Sequence, residues 1–331
     1  MGPPCRSLAP AINHQEVTNN TMRKIIAIGE SVLDTVYSNN QPTRSFVGGR
    51  IANAAAILGT LGLPVALVSE CCADRVGDII IDYLTRHHVD VASIDRYTSG
   101  ATAMSVIFND GGKDTLVNYG VYPKERFDVV WPRIDEDDIL VFGSLYAITE
   151  PQRKALFELV NYAAERKAII LYLPGFQHGI NFHIAHVMPA ILENLEVSDL
   201  VIAHERDLRD VYPGETAQQA YTNHVEFYCD NYLHIHPDLS VTRFDKGGKA
   251  LTHPAIGMPT KHMLGWQAGF TAGVIYGLLK NEVTHANVHQ LTRTAWVDIV
   301  TGAQAIASAC ANPDNCIDEA LAARYAAELK H

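Results

Sequence analysis

Short apolar runs and amphipathic stretches alternate along most of this chain, and their order predicts a parallel sheet covered by helices. Arg23–Ile28 is a β-rich run that closes at Gly29, suited to a first strand. Ala-rich Ile51–Leu61 reads as a helix and Val65–Ser69 as the next strand. Asp74–His87 is an amphipathic helix, with Val76, Ile79, Ile80, Tyr83 and Leu84 on its apolar side. Two alternating runs, Ala101–Phe108 and Thr115–Tyr122, flank Asn109-Asp110-Gly111-Gly112, a hairpin turn signal. The strand–helix rhythm then resumes. Ile139–Phe142, Ala168–Leu173, Leu200–Ala203 and Ser240–Arg243 read as strands; Pro151–Arg166, opened by its proline, and Ala185–Leu195 read as helices. A helix from Gly269 and another over Thr292–Cys310 close the fold, while Tyr212–Pro237 shows no clear period and reads as a loop insertion.

Repeated strand–helix units imply a mostly parallel sheet flanked by helices in three layers, an α/β fold. The early hairpin breaks that rhythm and is expected to leave the main sheet as a small β lid. Over 331 residues this suits a tail at 1–22 and one domain over 23–325, with lid strands at about 34–47 and 101–122. The net charge of −11 argues against a nucleic-acid partner, and no apolar run nears the roughly 20 residues that span a bilayer. Six scattered cysteines without a Cys-x-x-Cys pair fit reduced thiols and a cytoplasmic location.

The chemistry concentrates in a few stretches. From Gly269 the segment Thr260–Leu279 is a buried helix, with Gly269, Ala272, Gly273 and Gly277 at close-packing spacing. A helix start offers free N–H groups to anions. Near the front, Gly29-Glu30-x-x-x-Asp34 ends the first strand, and a carboxylate there can bridge two hydroxyls. In Gly48-Gly49-Arg50-Ile51-Ala52-Asn53 the paired glycines let backbone approach a ligand, and Asn53 offers donors and an acceptor. Taken singly, Asp34 reads as a solvated turn residue and Gly48-Gly49 as an ordinary helix start.

Together these stretches resemble the ribokinase-like (PfkB) carbohydrate kinase family from about Arg23 to Ala320. The resemblance implies the ribokinase-like three-layer fold, with a sugar or sugar acid bound by Asp34, Gly48, Gly49 and Asn53. The family's Asp-Thr-x-Gly-Ala-Gly-Asp exposes amides to the transferring phosphate and ends on the base that deprotonates the sugar hydroxyl. Here Gly265 is the one glycine kept: Trp266 and Gln267 stand for Ala and Gly, and Ala268 stands at the base. Alanine cannot accept a proton, so no catalytic residue is expected, and Trp266 reads as a plug in the phosphate space. Leu173, Gly175 and Gln177 replace the Asp, Asn and Arg of a middle motif. His204-Glu205-Arg206-Asp207 stands for Asn-x-x-Glu with only Asp207 comparable. Thr242 and Gly247, with Phe244 between them, resemble the nucleotide-side turn.

Among the fifteen histidines, His183-x-x-His186, His234-x-His236 and His87-His88 lack a zinc-type partner set, so no metal site is expected. Three readings remain open. One is a sugar-binding pseudoenzyme, partnered by itself or by an active kinase paralogue. The second is a divergent active kinase using Mg-ATP, in which Asp207, Asp245 or a substrate phosphate takes the proton. The third, compatible with the first, is a structural homodimer clasped through the lid.

Overall fold

The computed structural model describes residues 22–110, 113–121, 129–150, 152–175, 184–257 and 263–329. Expected features at the tail over 1–21, Gly111-Gly112, Tyr122, Pro151, Gln177, His183 and Thr260–His262 lie outside the described residues. The strands are β1 (Ile25–Ile28), β2 (Val32–Ser38), β3 (Gln41–Gly48), β4 (Val65–Cys72), β5 (Ile94–Tyr97), β6 (Ala101–Asp110), β7 (Lys113–Val121), β8 (Ile139–Gly143), β9 (Ile169–Leu173), β10 (Leu200–His204), β11 (Tyr232–Ile235), β12 (Val241–Asp245) and β13 (Lys249–His253). The helices are α1 (Arg50–Thr60), α2 (Arg75–Arg86), α3 (Gln152–Glu165), α4 (Ile184–Glu196), α5 (Glu205–Val211), α6 (Ala217–Ala220), α7 (Met263–Lys280), α8 (Arg293–Cys310) and α9 (Glu319–Glu328).

Nine strands form the main sheet in the order β13-β12-β11-β10-β9-β8-β1-β4-β5. Pairing is parallel from β11 through to β5, and antiparallel where β12 and β13 fold back at one edge. The parallel strands are continuously apolar because helices cover both faces. One core packs the sheet against α1, α7 and α8, and the other against α3 and α4.

A second sheet, β3-β2-β6-β7, stands apart as the lid. Its β2–β3 hairpin turns on Asn39 and Asn40, both left-handed with φ of 52° and 59°, as a two-residue turn demands. β2 also runs parallel to β6, with Asp34 opposite Ser105, so this hairpin is built into the sheet by both neighbours.

The helix expected from Gly269 is α7, which begins earlier, at Met263. Gly265, Trp266, Gln267 and Ala268 therefore lie in its first two turns. Its glycines recur every four residues on one face, against α8. A Cβ at Gly273 would meet the Ala303 Cα at 2.5 Å, and one at Gly269 the Ala307 Cα at 2.9 Å. Replacing Gly273 by Ala gains helix propensity of roughly 1 kcal/mol but forces the two backbones apart. Urea unfolding is expected to show Gly273→Ala less stable than the native chain by about 1–3 kcal/mol. A gain in stability would show that the helices do not need this close approach.

Candidate functional site

The parallel strands all point their C-terminal ends to one edge, where open α/β sheets bind ligands. Two groups of side chains meet there. The first surrounds Asp34. Its carboxylate packs directly on Gly48, leaving no room for a Cβ at that position. Gly49, at φ 101°, caps α1 and lies against the Glu30 carbonyl, so only glycine suits its conformation and its space. One helical turn on, Asn53 is buried, and its Oδ1 has no partner among the described residues. Glu30 is buried too, and its Oε2 is likewise without a partner among them. Ser144, which bonds the Glu30 carboxyl, holds φ 54° and ψ −147°, a costly backbone for a residue with a Cβ. Burial pushes the Asp34 carboxyl up to about 7, against a hydrogen bond from Ser105 and with help from the Glu30 charge. Burial raises Glu30 as well. Two neighbouring carboxyls, with unpaired acceptors and tightly fitted glycines beside them, suit a polyhydroxyl ligand.

The second group lines a small cleft at the ends of β9, β10 and β11: Arg50, Leu173, Ile202, His204, Ile235, Gln267 and Thr271. Arg50, the first residue of α1, reaches across it. Its guanidinium donates to both oxygens of Asp207, at 3.1 and 3.3 Å, and to the Pro174 carbonyl at 3.1 Å. Burial disfavours that charge, but Asp207 more than compensates and holds Arg50 above its ordinary value. Asp207 Oδ2 also accepts from the His204 backbone N–H at 3.0 Å, closing a capping box at the start of α5.

His204 is 8% exposed and has no side-chain partner for Nε2 among the described residues. Burial lowers its pKa, so the ring is neutral at pH 7. Its Nδ1 accepts the Arg206 N–H at 3.2 Å, which places the proton on Nε2. His204 therefore holds its free donor at Nε2 and has its Nδ1 acceptor already engaged.

Several expected positions need correction. Gly265 turns its Cα to the Cys310 carbonyl and Asn315, so close packing against the end of α8 accounts for that glycine. Trp266 does not line the cleft; it is buried in the core, stacked on Phe270 at 5.3 Å. Gln267 and Thr271, one turn apart, form the α7 wall instead. Ala268 is completely buried. Thr242 sits near the C-terminal edge, opposite His234. Gly247 lies past the far end of β12, where its N–H donates to Glu226, and cannot reach a ligand at the cleft. Asp245 is at that far end too, bonded by Arg243 at 3.2 Å. Arg50 and His204 were not anticipated as a cleft wall, because the residue types reveal no partner until the strands are in register.

Residues 17–224 match the pfkB family carbohydrate kinases. The chain belongs to that family. It is 20% identical over 215 residues to an ATP-dependent 6-phosphofructokinase of Thermoanaerobacterium thermosaccharolyticum, covering 62% of this chain and 66% of that one. It is 24% identical over 194 residues to a fructokinase of Rhizobium leguminosarum, covering 56% and 58%. The chain thus spans less than two thirds of the length of either relative. The fold is similar to that of the aminoimidazole riboside kinase from Salmonella enterica, solved with aminoimidazole riboside and an ATP analogue. That likeness has a TM-score of 0.76 at 13% identity, covering 92% of this chain and 99% of that one. The matched region contains Asp34 to Asn53 and Asp207, while α7 lies beyond it. No helix among the described residues is long and apolar enough to cross a membrane.

Two outcomes follow from this geometry. Arg50→Met leaves the Asp207 carboxylate buried and unpaired, which is expected to cost about 3–5 kcal/mol in urea unfolding. Adding Asp207→Asn removes that stranded charge and should recover much of the loss; a double variant as unstable as Arg50→Met would refute the pairing as the cause. The carboxyls of Asp34 and Glu70 are both raised to about 7, chiefly by burial. Between the ordinary carboxyl value, about 4, and 7 the native state then holds more protons than the unfolded chain. Stability due to these groups is complete below that interval and falls as pH rises through it, by up to about 1.4 kcal/mol per unit for each group. Asp34→Asn is expected to flatten the decline in unfolding free energy between pH 5 and pH 7, roughly the interval where the native excess of protons is largest; an unchanged slope would mean that Asp34 is ionised throughout.

Proposed function

We propose that this pfkB-family protein binds a monosaccharide or sugar acid but has lost, or severely weakened, transfer of phosphate to it. The observation that carries the reading is the proton inventory of the cleft. Among the described residues its lining includes no carboxylate, its one imidazole carries its proton on Nε2, and position 268 is a buried methyl group. Asp207 is held by Arg50, and Asp245 lies at the opposite edge. A positioned base contributes about 10²–10⁴-fold to such a reaction. The guanidinium that could otherwise steady a phosphoryl group is neutralised by the same ion pair, and phosphoryl transfer depends mainly on such electrostatic positioning.

The sugar half supports binding. Asp34 and Gly48 pack on each other within the lid sheet, on β2 and β3, and Gly49 and Asn53 follow at the start of α1. There, buried acceptors of Asn53 and Glu30 without a partner among the described residues suit a diol. A homodimer clasped through the lid, or pairing with an active kinase paralogue, suits a protein that senses a sugar rather than consuming it. Edge strand β3 is exposed from Gln41 to Ser45, as such a clasp requires.

The test is ADP release from Mg-ATP over a panel of monosaccharides and sugar acids, beside thermal shifts with each ligand alone. A sugar should raise the melting temperature of the native chain and not that of Asn53→Ala. Sugar-dependent turnover should lie at least about 10²-fold below the 1–100 s⁻¹ of ordinary kinases. Turnover within that ordinary range would sink the loss of phosphotransfer. Absence of stabilisation by any member of the panel would instead count against the sugar site.

A further inference from the structure

Behind the cleft wall lies a cluster that neither the sugar group nor the cleft uses. His234 and His236 are two apart on an extended chain, so their rings share one face, while Ile235 between them lines the cleft from the other. β10 runs parallel to β11, with Ala203 opposite His234 and His204 opposite Ile235. That register brings Glu205, the first residue of α5, beside His236. One donor atom from each of Glu205, His234 and His236 lies within 4.8 Å of the others. Glu205 Oε2 is 2.8 Å from His234 Nε2, and the two rings meet edge to face at 4.5 Å.

We propose that Glu205, His234 and His236 bind a divalent transition cation of the zinc class. Two imidazoles and one carboxylate are a donor set that Zn²⁺ prefers over Mg²⁺ or Ca²⁺, which take oxygen ligands. Metal–ligand bonds of about 2.0–2.2 Å put tetrahedral donors roughly 3.4 Å apart, so the cluster needs shifts on the order of 1 Å to close on an ion. The outer contacts are those of a supported site. The Tyr232 hydroxyl is 3.3 Å from His234 Nδ1, Thr242 Oγ1 is 2.7 Å from His236 Nε2, and Thr252 Oγ1 is 2.9 Å from Thr242. Such contacts orient ligating rings. The ion would take the place of the proton shared by Glu205 and His234, leaving a fourth position for water. It would also join α5 to β11, fixing the helix whose Asp207 holds Arg50. Nothing in this proposal depends on whether the cleft transfers phosphate.

The experiment titrates the full chain, stripped with chelator, with Co²⁺ and Zn²⁺. The visible absorption of bound Co²⁺ and the heat of Zn²⁺ binding are measured beside circular dichroism of each variant. One equivalent should bind with a dissociation constant of about 1 μM or tighter, giving the intense bands of tetrahedral Co²⁺. His236→Gln and Glu205→Gln change partly exposed side chains, so both should fold while losing about 10–100-fold or more in affinity. His289→Gln, which alters a separate pair with Asp199, should bind as the native chain does. Absence of a one-equivalent Co²⁺ spectrum, or affinity unchanged in folded His236→Gln and Glu205→Gln, would overturn the assignment.

Discussion

The ion pair between Arg50 and Asp207 is the contact on which the character of this site depends. Arg50 follows Gly48 and Gly49 directly, at the start of the helix that carries Asn53. Asp207 sits in the first turn of α5, where it also caps the chain leaving β10. Their two hydrogen bonds fasten the Asp34 side of the sheet edge to the cleft side. The Asp207 side chain is only 2% exposed, so neither charge can be left alone without a large desolvation cost. The same bond that secures the architecture removes a free cation and a free carboxylate from the cleft.

What remains is chemically lopsided. On the Asp34 side, buried oxygens of Asn53 and Glu30 have no partner among the described residues. On the cleft side, His204, Gln267 and Thr271 are the polar uncharged groups of the lining among the described residues. Helix α7 leaves no room for a carboxylate at position 268. Its glycine face is committed to α8, and Ala268 is enclosed, so a carboxylate there would enter without water or a partner.

Much of the fold was legible because strong periodicity and burial agreed. The strands β1, β4, β8, β9 and β10 are apolar runs between helices, and the β6–β7 hairpin is marked by its Asn-Asp-Gly-Gly turn signal. The failures have specific physical causes. β5 reads Ile-Asp-Arg-Tyr, too short and polar for a pattern to mark it. β11 reads Tyr-Leu-His-Ile, four residues without a clear period, and only its place between β10 and β12 makes it a strand. The early start of α7 went unseen because Met263–Ala268 has no capping residue ahead of a clear apolar period.

Read alone, the chain determined its class, the strand–helix order of most of its main sheet, the glycines and carboxylate ahead of the first helix, and the methyl at position 268. These are local properties: they reside in residue type and spacing, and no distant neighbour can change them. The tertiary structure decided which charges cancel, which imidazole nitrogen holds a proton, and that Gly247 and Asp245 fall at the wrong edge. It also brought Glu205 to His234 and His236, residues about thirty apart in sequence. Such facts arise only when strands come into register, because electrostatic and hydrogen-bond partners act over a few ångströms of space rather than along the chain.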